Sequence, residues 1–158
     1  MQDSSPDPWL AKALAAIGRK DRTESEMREW LLARDAGPQE IERVIGYLTE
    51  NLALDDRRFA LAFASDKREL SGWGRDRIRK ALLGRGIDPG LVAETLDSPV
   101  VGNGPTEGEV ERAVKVLNDR GADLSDDRGR QRALGMLARR GYEAEEAYAA
   151  IRIAGRAA

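Results

Sequence analysis

The 158-residue sequence contains no cysteine and no histidine. The first absence excludes disulfides, thiolate metal sites and cysteine nucleophiles. The second removes the commonest general base and metal ligand, so catalysis would have to rest on carboxylates or lysines. There is no P-loop, dinucleotide fingerprint or nucleophile elbow. The carboxylates of Asp55 and Asp56 are interpreted as helix caps, because no third type of metal ligand clusters near them. We expect no catalytic residue, metal or cofactor, and no enzyme.

Long apolar runs are also absent, so no membrane span is expected. The first residues, MQDSSPDPW, are acidic and lack the basic and apolar regions of a signal peptide. A cytoplasmic, monomeric protein is the expectation. The net charge is −2, so any binding of nucleic acid has to come from a local basic patch.

Aromatic residues are scarce at 5%, while Ala, Leu, Arg and Glu dominate, a composition that favours helices. Start signals recur along the chain, among them an Asp-Pro pair at 7–8, a capping-box pattern at Thr23 and Glu26, and a Gly-Pro pair at 37–38. Gly74 is predicted to be the N-cap of a fifth helix. Together these signals predict an all-α protein of nine helices.

The helices fall into threes, and a short pattern recurs at the end of each middle helix: LLARDA at 31–36, LLGRGI at 82–87 and LARRGY at 137–142. This predicts a divergent repeat of three short helices, which on stacking gives an elongated molecule. The predicted bounds are a tail at 1–8, repeats at 9–54, 55–97 and 109–158, and a linker rich in glycine and proline at 98–108. A single compact helical bundle remains the alternative at this point.

Positive charge concentrates in two places. Residues 67–85 contain seven basic and two acidic side chains, and a second group follows in the third repeat. Such a run is either the solvated face of a helix or a surface that faces anions. Trp73 fits a hydrophobic staple with Ile78 as well as a partner contact. The candidate binding residues are Lys67, Arg68, Trp73, Arg75, Arg77, Arg79, Lys80, Arg85, Arg130, Arg132, Arg139 and Arg140.

The order of these motifs is similar to that of the RecX family, modulators of the RecA recombinase. The resemblance runs from about Ala13 to Arg152 and is most specific at 52–87, LALDDRRFALAFASDKRELSGWGRDRIRKALLGRGI, with a further match at 130–142, RQRALGMLARRGY. In this family an acidic pair and an aromatic-alanine helix precede a glycine-aromatic-glycine turn and a basic helix. Here these are Asp55, Asp56, Phe59, Ala60, Gly72, Trp73, Gly74, Arg77, Ile78, Arg79, Arg85, Gly86 and Ile87. The chain departs from the family at Arg75, where proline is frequent, and has Asp35 where its other two repeats have glycine.

The resemblance implies three tandem three-helix repeats in an elongated, curved arrangement. It also implies binding in the groove of the RecA–DNA filament and inhibition of recombinase and ATPase activity, which would modulate recombinational DNA repair and the SOS response. Two alternatives stay open. One is a helical module that binds bare duplex or single-stranded DNA, with weak non-specific DNA binding as its mildest form. The other is a helical adaptor whose charged faces only keep it soluble.

Overall fold

A computed structural model describes residues 7–98, 101 and 108–157 of the chain. Within those ranges it contains nine α-helices and no β-strand. The helices are α1 (Pro8–Arg19), α2 (Glu24–Leu32), α3 (Pro38–Glu50), α4 (Asp56–Ser71), α5 (Arg75–Gly84), α6 (Pro89–Asp97), α7 (Glu109–Asp119), α8 (Asp127–Arg139) and α9 (Ala144–Arg156).

Most helices begin where the sequence predicts. The Asp7 carboxylate accepts hydrogen bonds from the backbone N–H groups of Trp9 and Leu10. Thr23 and Glu26 form the reciprocal capping box, which satisfies two of the free N–H groups at the start of α2. Asp55 caps α4. Asp56 lies in the first turn of α4, and its carboxylate accepts a hydrogen bond from the backbone N–H of Glu24, the first residue of α2.

Each triplet of helices has its own hydrophobic core. Repeat 1 (α1–α3) buries Met27, Leu31 and Leu48, and repeat 2 (α4–α6) buries Ile78, Leu82 and Val92. Repeat 3 (α7–α9) buries, among others, Leu117, Leu137 and Ile151. Three serial cores, rather than one shared core, are what stacked repeats require, and they confirm the predicted fold class over the single bundle.

The predicted tail and linker fall mostly outside the described residues: positions 1–6, 99–100 and 102–107 are not covered. One described residue of the predicted linker, Val101, is buried and belongs to the core of repeat 2.

The three middle helices end in the same backbone motif. The N–H of Ala36 reaches back to the carbonyl of Leu31, and the same six-residue bond joins Ile87 to Leu82 and Tyr142 to Leu137. This is the Schellman closure of a helix, which needs a residue with positive φ just before the apolar one. Asp35, Gly86 and Gly141 fill that position with φ of 63°, 81° and 91°. We call residues 34–36, 85–87 and 140–142 the closing turns of α2, α5 and α8.

The described part of the chain has neither a membrane-spanning helix nor a cluster of metal ligands. No helix there is long and apolar enough to span a membrane. The same residues include no cluster of three or more side chains suited to hold a metal ion.

Candidate partner-binding surface

The first junction, between repeats 1 and 2, is built on the closing turn of α5. The hydroxyl of Thr23, which is fully buried, donates a hydrogen bond to the carbonyl oxygen of Arg85 at 2.8 Å. The guanidinium of Arg85 donates to both carboxylate oxygens of Glu26, at 2.9 and 3.1 Å. Since this fork-to-fork pairing is among the strongest polar contacts in proteins, Arg85 holds the two repeats together.

Electrostatics at this junction depend on the same pair. Burial raises the pKa of Glu26, but hydrogen bonds from Arg85 and Thr23 outweigh it, so the pKa of that carboxyl lies below its ordinary value. Burial raises the pKa of the neighbouring Asp56. Glu26 is therefore the carboxylate whose ionised form the junction favours.

The second junction, between repeats 2 and 3, places the closing turn of α8 against the start of α5. The backbone N–H of Gly74 donates to the carbonyl oxygen of Arg140 at 2.6 Å, and that of Asp76 to the carbonyl of Gly141 at 3.3 Å. The N-cap Gly74 offers no side-chain cap of its own. Carbonyls from the end of one helix thus satisfy the free N–H groups at the start of another, an arrangement that also pairs opposite ends of two helix dipoles.

Two glycines allow this close approach. A Cβ at Gly74 would lie 2.7 Å from the carbonyl oxygen of Gly141. A Cβ at Gly141 would lie closer than 3.0 Å to the backbone nitrogen of Arg77. The Tyr142 hydroxyl completes the contact by donating to the Gly72 carbonyl at 3.0 Å. Gly74 and Gly141 therefore let the two repeats pack with their backbones in contact.

Glu109, the first residue of α7, ties the second junction together. Its carboxylate accepts hydrogen bonds from the backbone N–H of Arg75 at 2.9 Å, from Arg68 at 3.1 Å and from Arg112 at 2.7 Å. The Arg68 side chain is only 5% exposed. Burial, together with the charge of Arg112, lowers the pKa of Arg68. The sequence interpretation counted Arg68 as a partner contact, whereas the structure places it inside the junction.

Trp73 lies between cations and aromatic rings. The Arg77 guanidinium is 4.0 Å and the Lys67 ammonium 4.7 Å from its ring centroid. The Phe63 ring meets it edge-on at 6.2 Å between centroids. Trp73 also packs partly buried against the core cluster that contains Ile78, the partner that the staple interpretation predicted. The indole ring of Trp73 thus makes cation–π contacts with two basic side chains and helps to position them.

The outward arc of α5 stays accessible. Arg79 and Lys80 both pair with Asp76, at 2.6 and 3.0 Å, and hydrogen bonds from these two cations lower the pKa of that carboxyl. The Lys80 side chain is 70% exposed. Arg75 pairs with Asp97 at 2.8 Å. Exposed ion pairs of this kind contribute only about 0–1 kcal/mol, so a partner can recruit these cations at little cost.

The basic side chains of repeat 3 divide between the junction and the solvent. Arg130 pairs with Asp127 at the start of α8, and Arg132 and Arg139 are exposed. Arg140 is partly buried. Burial and the charges of Arg120, Arg77 and Arg139 all lower the pKa of Arg140. Burial is the largest cause of that pKa shift, and the positive charges come from Arg120 at the end of α7, Arg77 on α5 and Arg139 on α8.

The structure therefore separates the predicted site residues into two groups. Arg68, Arg85 and the backbone of Arg140 hold repeats together. The side chains of the second group are exposed or half-exposed. Three members also contribute to the second junction: the backbone N–H of Arg75 donates to Glu109, and the Arg77 guanidinium donates to the Arg139 carbonyl at 2.8 Å. The second group comprises Lys67, Arg75, Arg77, Arg79, Lys80, Arg130, Arg132 and Arg139.

Sequence reasoning missed Glu26, Glu109 and Tyr142, whose partners lie 59, 41 and 70 positions away. The apolar periodicity of a single helix does not indicate which residues of another repeat it contacts. The repeated glycine before an apolar residue was the available signal, because a closing turn with positive φ and no side chain is suited to close docking.

Comparison with known proteins places these features in a family. Residues 10–48 match the family model "RecX, first three-helix domain", and residues 55–96 match "RecX, second three-helix domain". These ranges fall within repeats 1 and 2.

Two curated relatives are both named "Regulatory protein RecX". That of Deinococcus radiodurans is 35% identical over 152 residues, which cover 96% of this chain and 70% of the relative. That of Bacillus velezensis is 29% identical, and the chain spans 52% of its length.

Two solved structures share the fold. The crystal structure of RecX from Lactobacillus salivarius superimposes with a TM-score of 0.74 at 19% identity, covering 94% of this chain and 95% of that one. A second, described as the regulatory protein RecX, gives a TM-score of 0.68 at 21% identity and covers 97% of this chain and 81% of that one. From the relative in Deinococcus radiodurans and the two matched domains, the chain belongs to the RecX family of regulatory proteins.

Proposed function

We propose that this protein binds the RecA–DNA filament and inhibits the recombinase and ATPase activities of RecA, thereby modulating recombinational DNA repair and the SOS response. Membership of the RecX family supports this assignment. The proposed contact is the exposed basic surface of α5 and α8, and the protein acts by occupying the filament rather than by chemistry of its own.

One observation carries the proposal: docking of repeat 3 on repeat 2 joins the basic sides of two helices. The Arg77 guanidinium lies 2.8 Å from the carbonyl of Arg139 across the junction, and the charges of both arginines reach Arg140. In a chain of net charge −2, this is a local concentration of positive charge. It suits a long anionic partner that contacts several repeats at once, because the first contact raises the effective concentration at which the others form.

The same docking argues against a helix-turn-helix module on bare duplex. In such a module the N-terminal residues of the recognition helix contact base edges in the major groove. Here the start of α5 is covered by the closing turn of α8, with its N–H groups bonded to Arg140 and Gly141. Contact through exposed phosphate-facing cations remains compatible with weak, salt-sensitive DNA binding, which on RecA-coated DNA would add to the filament contact.

Charge reversal tests the proposal without disturbing the junctions. Arg79 and Lys80 pair only within their own helix in the described residues, and Arg132 is exposed on α8. We expect the triple variant Arg79→Glu, Lys80→Glu, Arg132→Glu to keep its helicity but to inhibit RecA ATP hydrolysis on DNA at least tenfold more weakly, a loss of about 1.4 kcal/mol.

The matched control is Lys12→Glu, Lys20→Glu, Arg57→Glu, which makes the same change in net charge on other exposed positions. It should inhibit as the unchanged protein does. Equal inhibition by the two triple variants would refute the proposed surface. Titration against bare duplex in parallel separates binding to the filament from binding to DNA alone.

A further inference from the structure

A small cavity lies beside the second junction, between the end of α4 and α7. Its volume is about 180 Å³. Pockets for drug-sized ligands begin near about 300 Å³, so this one suits a small ion or group. Six charged side chains line it, four of them basic: Arg68, Arg112, Lys115, Arg120, Glu69 and Asp119.

The wall of this cavity holds an excess of buried positive charge. Arg68 and Arg112 have side chains that are 5% and 12% exposed, and both pair with the single carboxylate of Glu109. Two guanidinium groups thus share one buried negative charge. Burial of a charge is costly unless it is paired and its hydrogen bonds are made.

Several buried N–H donors beside the cavity also lack an acceptor among the described residues. Within the residues that the structure describes, Nε of Arg68 and both Nε and Nη1 of Arg112 are buried and have no hydrogen-bond partner. Buried donors in native proteins are nearly always satisfied, so these nitrogens can donate to a water or to an anion. The Tyr142 hydroxyl does not supply the acceptor, because it donates to the carbonyl of Gly72.

We propose that this cavity is a binding site for a phosphoryl group, held by Arg68 and Arg112 in the wall and by Lys115 and Arg120 at the exposed mouth. A phosphate offers several strong acceptor oxygens and more than one negative charge, which matches forked guanidinium donors better than a single carboxylate does. Glu69 and Asp119 leave the six lining charges with an excess of two positive ones, and the largely buried Glu109 behind the wall reduces this excess to one.

Binding there would act on the junction itself. Arg68 and Arg112 hold Glu109, and Glu109 in turn accepts the backbone N–H of Arg75 at the start of α5. An anion that neutralises the excess charge removes the repulsion between the two guanidinium groups, and so tightens the docking of repeat 3. The site stands on the buried arginines alone and does not depend on the proposed binding of a recombinase filament.

Inorganic phosphate tests the site with the full-length chain. We expect phosphate to raise the thermal unfolding midpoint in a saturable way, beyond the effect of sodium chloride at the same ionic strength. The double variant Lys115→Gln, Arg120→Gln removes two exposed cations at the mouth and should weaken the apparent phosphate affinity at least fivefold. Arg112→Gln should abolish the response. The control pair Lys12→Gln, Lys20→Gln should respond as the unchanged protein does.

The proposal is overturned if phosphate and chloride act alike, or if the mouth variant keeps the full response. The mouth variant leaves the buried arginines intact, so the test survives if Arg112→Gln does not fold. A competition experiment distinguishes two sources of the phosphoryl group. A single-stranded oligonucleotide is added to the protein with bound inorganic phosphate, and the ³¹P line width of the inorganic phosphate is measured. Displacement of the phosphate by the oligonucleotide identifies a backbone phosphate as the ligand. Failure to displace it identifies free phosphate.

Discussion

Substituting Gly141 by alanine should undock repeat 3 while leaving its helices formed. Gly141 has φ of 91°, and an added Cβ would lie closer than 3.0 Å to three atoms of Arg77, among them its backbone nitrogen. Backbone atoms cannot rotate away as a flexible side chain can. The collision is relieved only if the closing turn of α8 moves off the start of α5.

The magnitude follows from what is lost. A non-glycine residue in this region of φ costs about 1–3 kcal/mol. Three hydrogen bonds of the junction, from Gly74, Asp76 and Tyr142, would break, at about 0.5–1.5 kcal/mol each. The sum of these ranges is about 2.5–7.5 kcal/mol, with a central value of about 5 kcal/mol. For a chain of this length the central value corresponds to a fall of about 10–20 °C in the unfolding midpoint if it unfolds as one unit.

Gly121 provides a matched control. It also follows a helix with positive φ, of 60°, but a Cβ there meets nothing within 4 Å. Gly121→Ala should therefore show the backbone cost alone. Urea unfolding gives the difference between the two variants, expected at about 3 kcal/mol, and small-angle scattering should show expansion only for Gly141→Ala. If the two variants differ by less than about 0.5 kcal/mol, docking does not depend on this glycine and the reasoning fails.

Two further predictions concern the first junction. At Gly86 an added Cβ would collide with the side chain of Ser25 rather than with backbone. Ser25→Gly should therefore recover part of the stability lost in Gly86→Ala, which a double-mutant cycle measures as a coupling energy. Strictly additive effects of the two substitutions would contradict this prediction. Because the pKa of Glu26 in the folded protein lies below its ordinary value of 4.5, its contribution is present above that value and is lost as the pH falls through the folded pKa. Glu26→Gln should thus lower the urea midpoint near pH 7, and its difference from the unchanged protein should shrink as the pH falls below 4.5. A difference independent of pH would mean that the charge of Glu26 is not involved.

The helices themselves were predictable because their signals are local. Asp7, Thr23 and Asp55 cap the helices that follow them, as their positions next to apolar periodic segments indicate. Burial of Ile78 and Leu82 likewise follows from their spacing on α5. Each of these features is decided within a few residues, where propensity and capping chemistry dominate.

The candidate site was predictable only in part, because basic residues serve two purposes that sequence spacing does not separate. Arg79 and Arg85 belong to the same basic run, yet one is exposed on α5 and the other pairs with Glu26, 59 positions away. Which arginine meets a distant carboxylate is fixed by how repeats stack. That information lies in contacts between repeats, not in the period of any one helix.

Asp35 carries a consequence for the assembly of the whole molecule. The closing turns of α5 and α8 each dock on the preceding repeat through a glycine, and a structure built by one such head-to-tail contact can extend from molecule to molecule into an open fibre. The closing turn of α2, with no repeat before it among the described residues, has aspartate in this place, at φ of 63°. At the corresponding position of the two later closing turns, a Cβ added to Gly86 or Gly141 would already collide with the preceding repeat. A repeat docked on the closing turn of α2 in the same way would meet the aspartate side chain, so this turn lacks the glycine-lined contact that the other two closing turns use.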